Sequence, residues 1–510
     1  MTTVRSGSFA ATTQPGRVIA CAPSPAPQIP IAVDRSAGAS MATQIAGQVR
    51  DAVTSGMLVA RERLPSSRDL AVTLGVSRTV VTTAYAQLFA EGWLEGRHGA
   101  GTFVADVAPS VPSVLRRAID AAPASSDTQS STSREAGDPW PAARAGDPWP
   151  AARAGELTEL RPGIPWAAGI EPAVWRRAWR QAGAQPPAFW PDPHGIPELR
   201  GELARYLRRS RALNVPPDQI LMTRGVSNGL AAIAAALVKP GDKVGVEEPG
   251  YPSAREVLRR AGADVVPCRV DEHGIVPEEL PRGLRLLYTT PAHQYPLGGR
   301  LPVPRRQALT TWARATGTLI VEDDYDGEFR YDVAPLPALY SMAPDVVVYL
   351  GTTSKTLTPV LGAGWLVASP DLVCLLAERR REISDRVSEP VQRALRTLIV
   401  TGDLEKHVRR MRLEYARRRA VLVAALAGLG GGAFRLLGDT AGMHVVLELP
   451  YPAERAVAAA ASHGLALYSA DRYYAGPPTL DALVLGYGAI PLGKLRRAAT
   501  TLATILLAAA

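Results

Sequence analysis

Cysteine is almost missing from this sequence: Cys21, Cys268 and Cys374 stand far apart in 510 residues. That number and spacing exclude a disulfide framework and a cysteine-built metal site, and no other metal site is expected. They suit a reducing, cytoplasmic compartment. Long apolar runs are missing as well, since no stretch reaches the roughly 18 residues a membrane-spanning helix needs. Val18-Ile19-Ala20-Cys21 has the outline of a lipoprotein cleavage site, but Pro15 and Arg17 stand where an apolar core would precede it. No signal peptide is therefore expected. Hydrophobic residues make up 46% and charged residues 21%, which is ordinary for a folded chain and excludes wholesale disorder. The net charge of +9 permits a polyanionic partner without requiring one, because the arginines are spread along the chain.

Apolar periodicity divides the chain into parts. Residues 1–38 are rich in Ala, Pro, Ser and Thr without a periodic pattern and read as a flexible tail. Residues 39–105 change character. Ile45, Val49 and Val53 recur at helical spacing, and Pro65-Ser66-Ser67 opens a second helix carrying Leu70, Ala71 and Leu74 on one face. Gly75-Val76-Ser77 is a tight turn, and Val80, Val81, Ala84, Tyr85 and Leu88 give a third helix. Trp93-Leu94 and Thr102-Phe103-Val104 then flank a Gly-rich hairpin. Residues 106–158 are poor in large apolar side chains and contain a perfect duplication, Ala136–Arg144 repeated as Ala145–Arg153. They read as a linker, because nine residues are too few for a repeat-protein unit. Residues 159–510 form one large unit in which strand-like runs alternate with helices, the pattern of a mostly parallel α/β sheet. The strand-like runs are Ile220–Thr223, Lys243–Val246, Asp264–Pro267, Leu284–Thr289, Gly317–Glu322 and Asp345–Leu350. From about Glu378 a long helix is expected, followed by a small α+β subdomain with strands at Met443–Leu449 and Ala482–Tyr487 and a closing helix at 491–509.

Helix, glycine turn, helix and hairpin is the winged helix-turn-helix arrangement, an α+β unit. Its recognition helix begins at Ser77, so Arg78 and Thr79 are the candidates for base edges in the major groove of a double-stranded operator. Arg68 and the wing residues Arg97, Gly99 and Gly101 are candidates for the backbone. Residues 41–104 hold six arginines against five acidic residues, so a basic footprint has to come from clustering. From the residues alone a three-helix protein-interaction module stays open. The run Arg63-Leu64-Pro65-Ser66-Ser67-Arg68-Asp69-Leu70-Ala71, with Leu74-Gly75-Val76-Ser77-Arg78, Glu91-Gly92-Trp93-Leu94 and Gly99–Val104, resembles the GntR-type winged helix of bacterial repressors. That resemblance implies DNA binding. Where the family usually has Asn-Thr and then a basic residue, this chain has Thr79-Val80 and Thr83, so its operator is expected to differ from those of its relatives.

In the large unit, three strand ends point at one pocket, because open parallel sheets bind ligands beyond the carboxyl ends of their strands. One strand ends in Asp323-Asp324-Tyr325-Asp326, another in Gly351-Thr352-Thr353-Ser354-Lys355, and a third passes through Gly225 into a helix near Ser227. A carboxylate, a phenol, an amine and a helix N-terminus thus share a rim. The helix start suits an anion, the lysine suits a Schiff base, and the carboxylate suits a protonated pyridine nitrogen. Each feature alone has a plainer reading: a surface lysine, a solvated acidic loop, a simple helix start.

Residues 159–505 resemble a fold-type I, aspartate-aminotransferase-like domain that uses pyridoxal 5'-phosphate. The match runs through Asp192–Gly195, Leu199-Arg200, Gly241–Val244, Glu248–Pro252, Pro291–Gly298, Glu322–Asp326, Phe329–Tyr331 and Leu350–Leu357. His293-Gln294-Tyr295-Pro296 and the Glu322–Asp326 run are typical of the MocR subgroup of GntR regulators, where such a domain follows a winged helix and a variable linker. The resemblance implies that Lys355 is the Schiff-base lysine and that Asp323 pairs with the pyridine nitrogen. It implies that Tyr325 bonds the ring hydroxyl, Tyr251 stacks on the ring, and the Val226 and Ser227 amides with the Thr352 hydroxyl hold the phosphate. Three positions depart from the pattern. Gly362 stands where relatives place a phosphate-binding arginine, Tyr295 replaces the usual asparagine, and the late strand lacks the carboxylate-binding arginine, leaving Arg472 as a nearby candidate. The expectation is a homodimeric DNA-binding transcriptional regulator that senses an amine, an amino acid or pyridoxal phosphate itself. The alternatives are an aminotransferase with turnover, and a DNA binder whose relic cofactor site serves dimerisation.

Overall fold

The structure is a computed structural model. It describes residues 31–509 apart from 36–37, 55–57, 59, 98–100, 106–156, 187, 332–336, 430–432 and 439–440. The duplicated nonapeptide lies outside the described residues, as does Gly99.

Three helices build the first unit: α1 (Met41–Thr54), α2 (Ser67–Leu74) and α3 (Arg78–Glu91). Ser66 caps α2 by accepting the Asp69 amide at 3.2 Å, and Gly75 ends it with φ 61°. Ser77 and Gly92 (φ 82°) bound α3. Ile45, Val49, Val81, Ala84 and Leu88 are fully buried between the helices. Strands β1 (Leu94–Arg97) and β2 (Gly101–Val104) form the hairpin, with Leu94 opposite Val104. Residues 61–64 line the other edge of β2, the Arg61 amide donating to Val104 O at 2.8 Å and the Leu64 amide to Thr102 O at 2.9 Å. The sequence carried no sign of this third edge, because Arg61-Glu62-Arg63-Leu64 lacks strand alternation.

The tail ends earlier than its composition implied. Residues 31–35 lie along α1, held by two glutamines that imitate a strand neighbour. Gln48 bonds both the amide (2.9 Å) and the carbonyl (2.7 Å) of Ala32, and Gln44 does the same for Asp34 at 2.9 and 2.8 Å.

The large unit is built on one eight-stranded sheet, in the order β4-β11-β10-β9-β8-β5-β6-β7. Its strands are β4 (Ile220–Thr223), β5 (Lys243–Glu248), β6 (Asp264–Asp271), β7 (Gly274–Ile275), β8 (Leu286–Thr289), β9 (Leu319–Asp324), β10 (Val347–Thr352) and β11 (Gly364–Val367). From β10 through β6 the neighbours are parallel. Helices cover both faces: α4 (Pro172–Gly183), α5 (Pro197–Arg211), α6 (Val226–Leu237), α7 (Pro252–Arg260), α8 (Val303–Thr316), α9 (Pro370–Glu382), α10 (Glu389–Val400) and α11 (Asp403–Leu426). The strands are apolar throughout because alternate residues enter different cores: Leu319 and Val321 pack on one face and Ile320 on the other. β11 is an addition to the expected strands; it runs antiparallel between β4 and β10.

A second correction concerns the long helix expected from Glu378. That stretch is three helices, because Ser384 (φ 56°) and Gly402 (φ 70°) both take left-handed backbone and break it. The small subdomain holds β12 (Arg435–Leu437), β13 (His444–Glu448) and β15 (Ala482–Gly486) in one antiparallel sheet, with α12 (Ala453–Ser462) and α13 (Leu492–Ala509). The short β14 (Leu465–Ala466) pairs in parallel with β3 (Thr158–Glu159), so Thr158, assigned to the linker, belongs to this subdomain. Val303 at the start of α8 is part of the winged-helix core, and Gly92 is packed so tightly against it that a Cβ there would lie 2.8 Å from the Val303 nitrogen. Among the described residues, no helix is long and apolar enough to cross a membrane.

Candidate functional site

Parallel pairing of β9 with β10 sets Leu350 beside Asp323 and Gly351 beside Asp324, so the acidic run and the Thr352–Lys355 turn leave the sheet side by side. Side-chain alternation then separates the acids. Asp324 turns to the buried guanidinium of Arg211. Glu322 accepts the amides of Leu339 (2.7 Å) and Tyr340 (2.9 Å). Asp323 faces the pocket, where Oδ2 accepts from the Tyr288 hydroxyl and Oδ1 is buried without a hydrogen-bond partner among the described residues. Burial pushes the Asp323 carboxyl up to about 8. The Tyr288 hydrogen bond opposes that rise, Asp324 adds to it, and Lys355 opposes it.

Lys355 donates from Nζ to the carbonyl of Gly163 at 2.7 Å. Burial lowers its pKa, against the pull of Asp326 and then Asp323. An amine so disfavoured as a cation is closer to the free-base form that attacks a carbonyl. Tyr325 follows the acids, its phenol 2.9 Å from His293 Nδ1. Tyr251 precedes α7 and meets Tyr295 edge-on at 5.9 Å between ring centres.

Val226 and Ser227 form the first turn of α6, whose free amides follow Gly225 at φ 120°. A Cβ on Gly225 would stand 3.6 Å from Thr352 Oγ1 and 3.9 Å from Ser354 Oγ, so both hydroxyls face the helix start. Amides, helix dipole and two hydroxyls converge there on a space suited to an anion. The neighbouring cation is committed: Arg224 pairs with Asp385 at 2.9 Å. Gly362 has left-handed backbone (φ 57°), and a Cβ on it would meet open space. Arg472 is exposed, with its guanidinium 5.1 Å above the Tyr468 ring, whereas its neighbour Tyr473 reaches Tyr295, oxygen to oxygen at 3.2 Å.

On the winged helix, Arg68, Ser77, Arg78 and Thr79 are all exposed at one end of the helical pair, and Arg78 Nε lies 3.4 Å from Ser67 Oγ. The hydroxyls of Thr82 and Thr83 turn back onto the Arg78 and Thr79 carbonyls at 2.9 Å. Gly101 is exposed with φ 116°, and Arg63 lies beneath it. The side chain of Arg97 lies outside the described residues.

Comparison with known proteins matches each unit. The family of bacterial regulatory proteins named gntR covers residues 41–104, and the class I and II aminotransferases cover residues 166–479. The HTH-type pyridoxine biosynthesis transcriptional regulator PdxR of Corynebacterium glutamicum is 36% identical over 460 residues, spanning 90% of this chain and 94% of that protein. The probable rhizopine catabolism regulatory protein MocR of Rhizobium meliloti is 32% identical over 488 residues, 94% of this chain and 96% of that one. The chain belongs to the MocR-type GntR regulators. It is a DNA-binding transcriptional regulator with an aminotransferase-like domain. This MocR-type chain also superposes on LysN, an α-aminoadipate aminotransferase of Thermus thermophilus, with a TM-score of 0.63 at 23% identity over 69% of this chain and 92% of that one. At that identity the likeness establishes the fold.

The MocR-type pocket contains residues to which the sequence assigned no role. Tyr288 holds Asp323, Gly163 holds Lys355, and Asp326 and His293 stand behind Tyr325. Tyr295 sits among Tyr251, Tyr325, His444 and Tyr473, each ring centre 5.2–5.9 Å away. Asp326 and His293 lie inside quoted motifs, so their positions were visible although their pairing was not. Gly163 had no local signal. The pocket fits pyridoxal phosphate on three observations: an orphaned buried carboxylate oxygen, a desolvated amine, and a helix start faced by two hydroxyls.

Proposed function

We propose that this regulator binds pyridoxal phosphate at Lys355 and that the cofactor's own presence is the signal it passes to DNA. The observation that carries the reading is Asp323. A carboxylate buried beside Lys355 with one unpartnered oxygen is costly unless a donor completes it. A protonated pyridine nitrogen is such a donor. When bound, the cofactor supplies an aldehyde carbon that accepts an amine nucleophile. The chain supplies the rest. Lys355 offers the amine, the α6 amides at Val226 and Ser227 with the Thr352 and Ser354 hydroxyls hold the phosphate, Tyr251 covers the ring face, and Tyr325 meets the ring oxygen. PdxR, the relative at 36% identity, is named for pyridoxine biosynthesis, which supports pyridoxal phosphate over a separate amine as the signal. Arg472, extended over Tyr468 at the surface, is a poor match for an amino-acid carboxylate.

The regulator acts as a homodimer whose two winged helices, through Arg78 and Thr79, read paired half-sites. Cofactor occupancy changes operator affinity only if the two winged-helix orientations bind the cofactor unequally. The packing of Val303 into the winged-helix core supplies the physical link between the two units. The test is the visible absorption of the purified chain during titration with pyridoxal phosphate. A new band is expected in wild type and not in Lys355→Ala; no band in either overturns the reading.

A further inference from the structure

The residue behind Tyr325 decides what its phenol can do. His293 Nδ1 is 2.9 Å from the Tyr325 oxygen, and it is also 3.2 and 3.0 Å from the two carboxylate oxygens of Asp326. His293 and Asp326 are 3% and 2% exposed, so bulk water does not reach the arrangement. One ring nitrogen therefore faces three oxygens. An ionised carboxylate only accepts, and a bare Nδ1 also only accepts. Two acceptors buried 3.0 Å apart repel, so this geometry requires the proton on Nδ1. Nδ1–H is then shared between Asp326 and the phenol oxygen, and Tyr325 accepts from His293 on that side. Its single proton is left to donate into the pocket.

The surroundings keep this choice. The His293 and Tyr325 rings lie 28° from parallel with centres 6.0 Å apart. Gly442 closes the other side: a Cβ there would lie 2.2 Å from His293 Cε1 and 2.8 Å from Asp326 Oδ2, so only glycine lets the backbone seal the pair from solvent. Gly442 is tied down in turn by its amide to Phe329 O at 2.7 Å and by the Tyr487 hydroxyl at 2.8 Å. The facing His444 donates from Nε2 to Pro296 O at 2.8 Å. Burial lowers its pKa to about 4, so it brings no competing positive charge. The Lys355 amine feels Asp326 more than Asp323.

We propose that His293, with its Nδ1 proton fixed by Asp326, is a positioning residue that makes Tyr325 a one-way hydrogen-bond donor to the ring oxygen of the bound cofactor. A donor there favours the oxyanion of that ring oxygen over its hydroxyl. The inference rests on the cofactor reading above and adds a second layer to it. Tyr295 stands where the usual asparagine would, so the donor role falls on Tyr325.

The experiment is the absorption spectrum of the full-length protein saturated with pyridoxal phosphate. The readout is the ratio of the long-wavelength band (ring oxygen ionised) to the short-wavelength band (ring oxygen protonated). Wild type is expected to favour the long-wavelength band. A neutral hydrogen bond is worth about 0.5–1.5 kcal/mol, so His293→Leu should lower the ratio about two- to tenfold. His293→Asn, whose side-chain amide can put an N–H near the Nδ1 position, should restore most of it. Asp326→Asn should shift the ratio in the same direction as the leucine variant. Because His293 acts through the phenol, adding His293→Leu to Tyr325→Phe should change nothing further. An unchanged ratio in both His293→Leu and Asp326→Asn overturns the proposal, as does a full additional shift in the Tyr325→Phe background. Absence of any bound-cofactor band in wild type overturns the cofactor reading itself, a result distinct from a band whose ratio ignores His293.

Discussion

The Lys355 amine donates to the carbonyl of Gly163 at 2.7 Å, across 192 residues of sequence. Gly163 follows β3 by four residues, and β3 is the first element after the interdomain linker. The group that would hold the cofactor therefore touches the strap that leads to the winged helix. Gly163 has φ 74°, and a Cβ there would stand 3.0 Å from Nζ. Gly163→Val should strain the strap by about 1–2 kcal/mol and crowd the amine, weakening cofactor binding roughly tenfold. Titration of the cofactor band measures this; unchanged affinity would mean the strap gives way freely.

Gly362 offers the opposite experiment. It has left-handed backbone and open space around its Cβ position. Gly362→Arg places a guanidinium where the family resemblance implies a phosphate-binding arginine. The gain from hydrogen bonds to a charged group is about 1.5–3 kcal/mol, against a left-handed backbone cost of about 1–2 kcal/mol. The most favourable balance, about 2 kcal/mol, would make pyridoxal phosphate bind up to about thirtyfold tighter, read from the same titration. Weaker binding would show that the α6 cradle already satisfies the phosphate without a cation.

Arg78 lies in the exposed first turn of α3, its Nε 3.4 Å from Ser67 Oγ. Arg78→Ala should lower operator affinity about fivefold to about a hundredfold, as loss of a bidentate base contact worth about 1–3 kcal/mol implies, while leaving the cofactor spectrum intact. Band-shift titration on the operator checks it, and undiminished binding would move the recognition surface elsewhere on the winged helix.

Asp323 predicts a pH dependence of stability. Its unfolded carboxyl titrates near 3.8 and its folded carboxyl near about 8, because burial raises it. Between those values the native state holds a proton that the unfolded chain has released. Protein stripped of cofactor should therefore lose stability as pH rises from about 4 to about 8. Asp323→Asn should flatten that slope, and bound pyridoxal phosphate should do the same by completing the carboxylate. Thermal unfolding across the range gives the comparison; identical slopes in wild type and Asp323→Asn would contradict the assignment.

Much of this architecture was visible in local chemistry. α3 is bounded by Ser77 and Gly92; Gly92 ends it in left-handed backbone as its type implies, whereas the Ser77 side chain makes no capping hydrogen bond. β9 and β10 were legible because apolar runs stop at acids and hydroxyls, where the sheet ends and the pocket starts. What escaped depends on distant partners. β11 is four residues whose strand character comes from β4 and β10 on either side. Residues 31–35 are ordered by the amides of Gln44 and Gln48, which no periodicity reports. His293 stood inside a recognised motif, but its role exists only where Asp326 and Tyr325 meet it.

The central claim is that cofactor occupancy at Lys355 controls DNA binding. The most direct test is the operator affinity of the full-length protein with and without saturating pyridoxal phosphate, beside Lys355→Ala under the same conditions. The cofactor should change wild-type affinity several-fold and leave the variant unmoved. Equal affinity for wild type in both conditions, or the same response in Lys355→Ala, would contradict it.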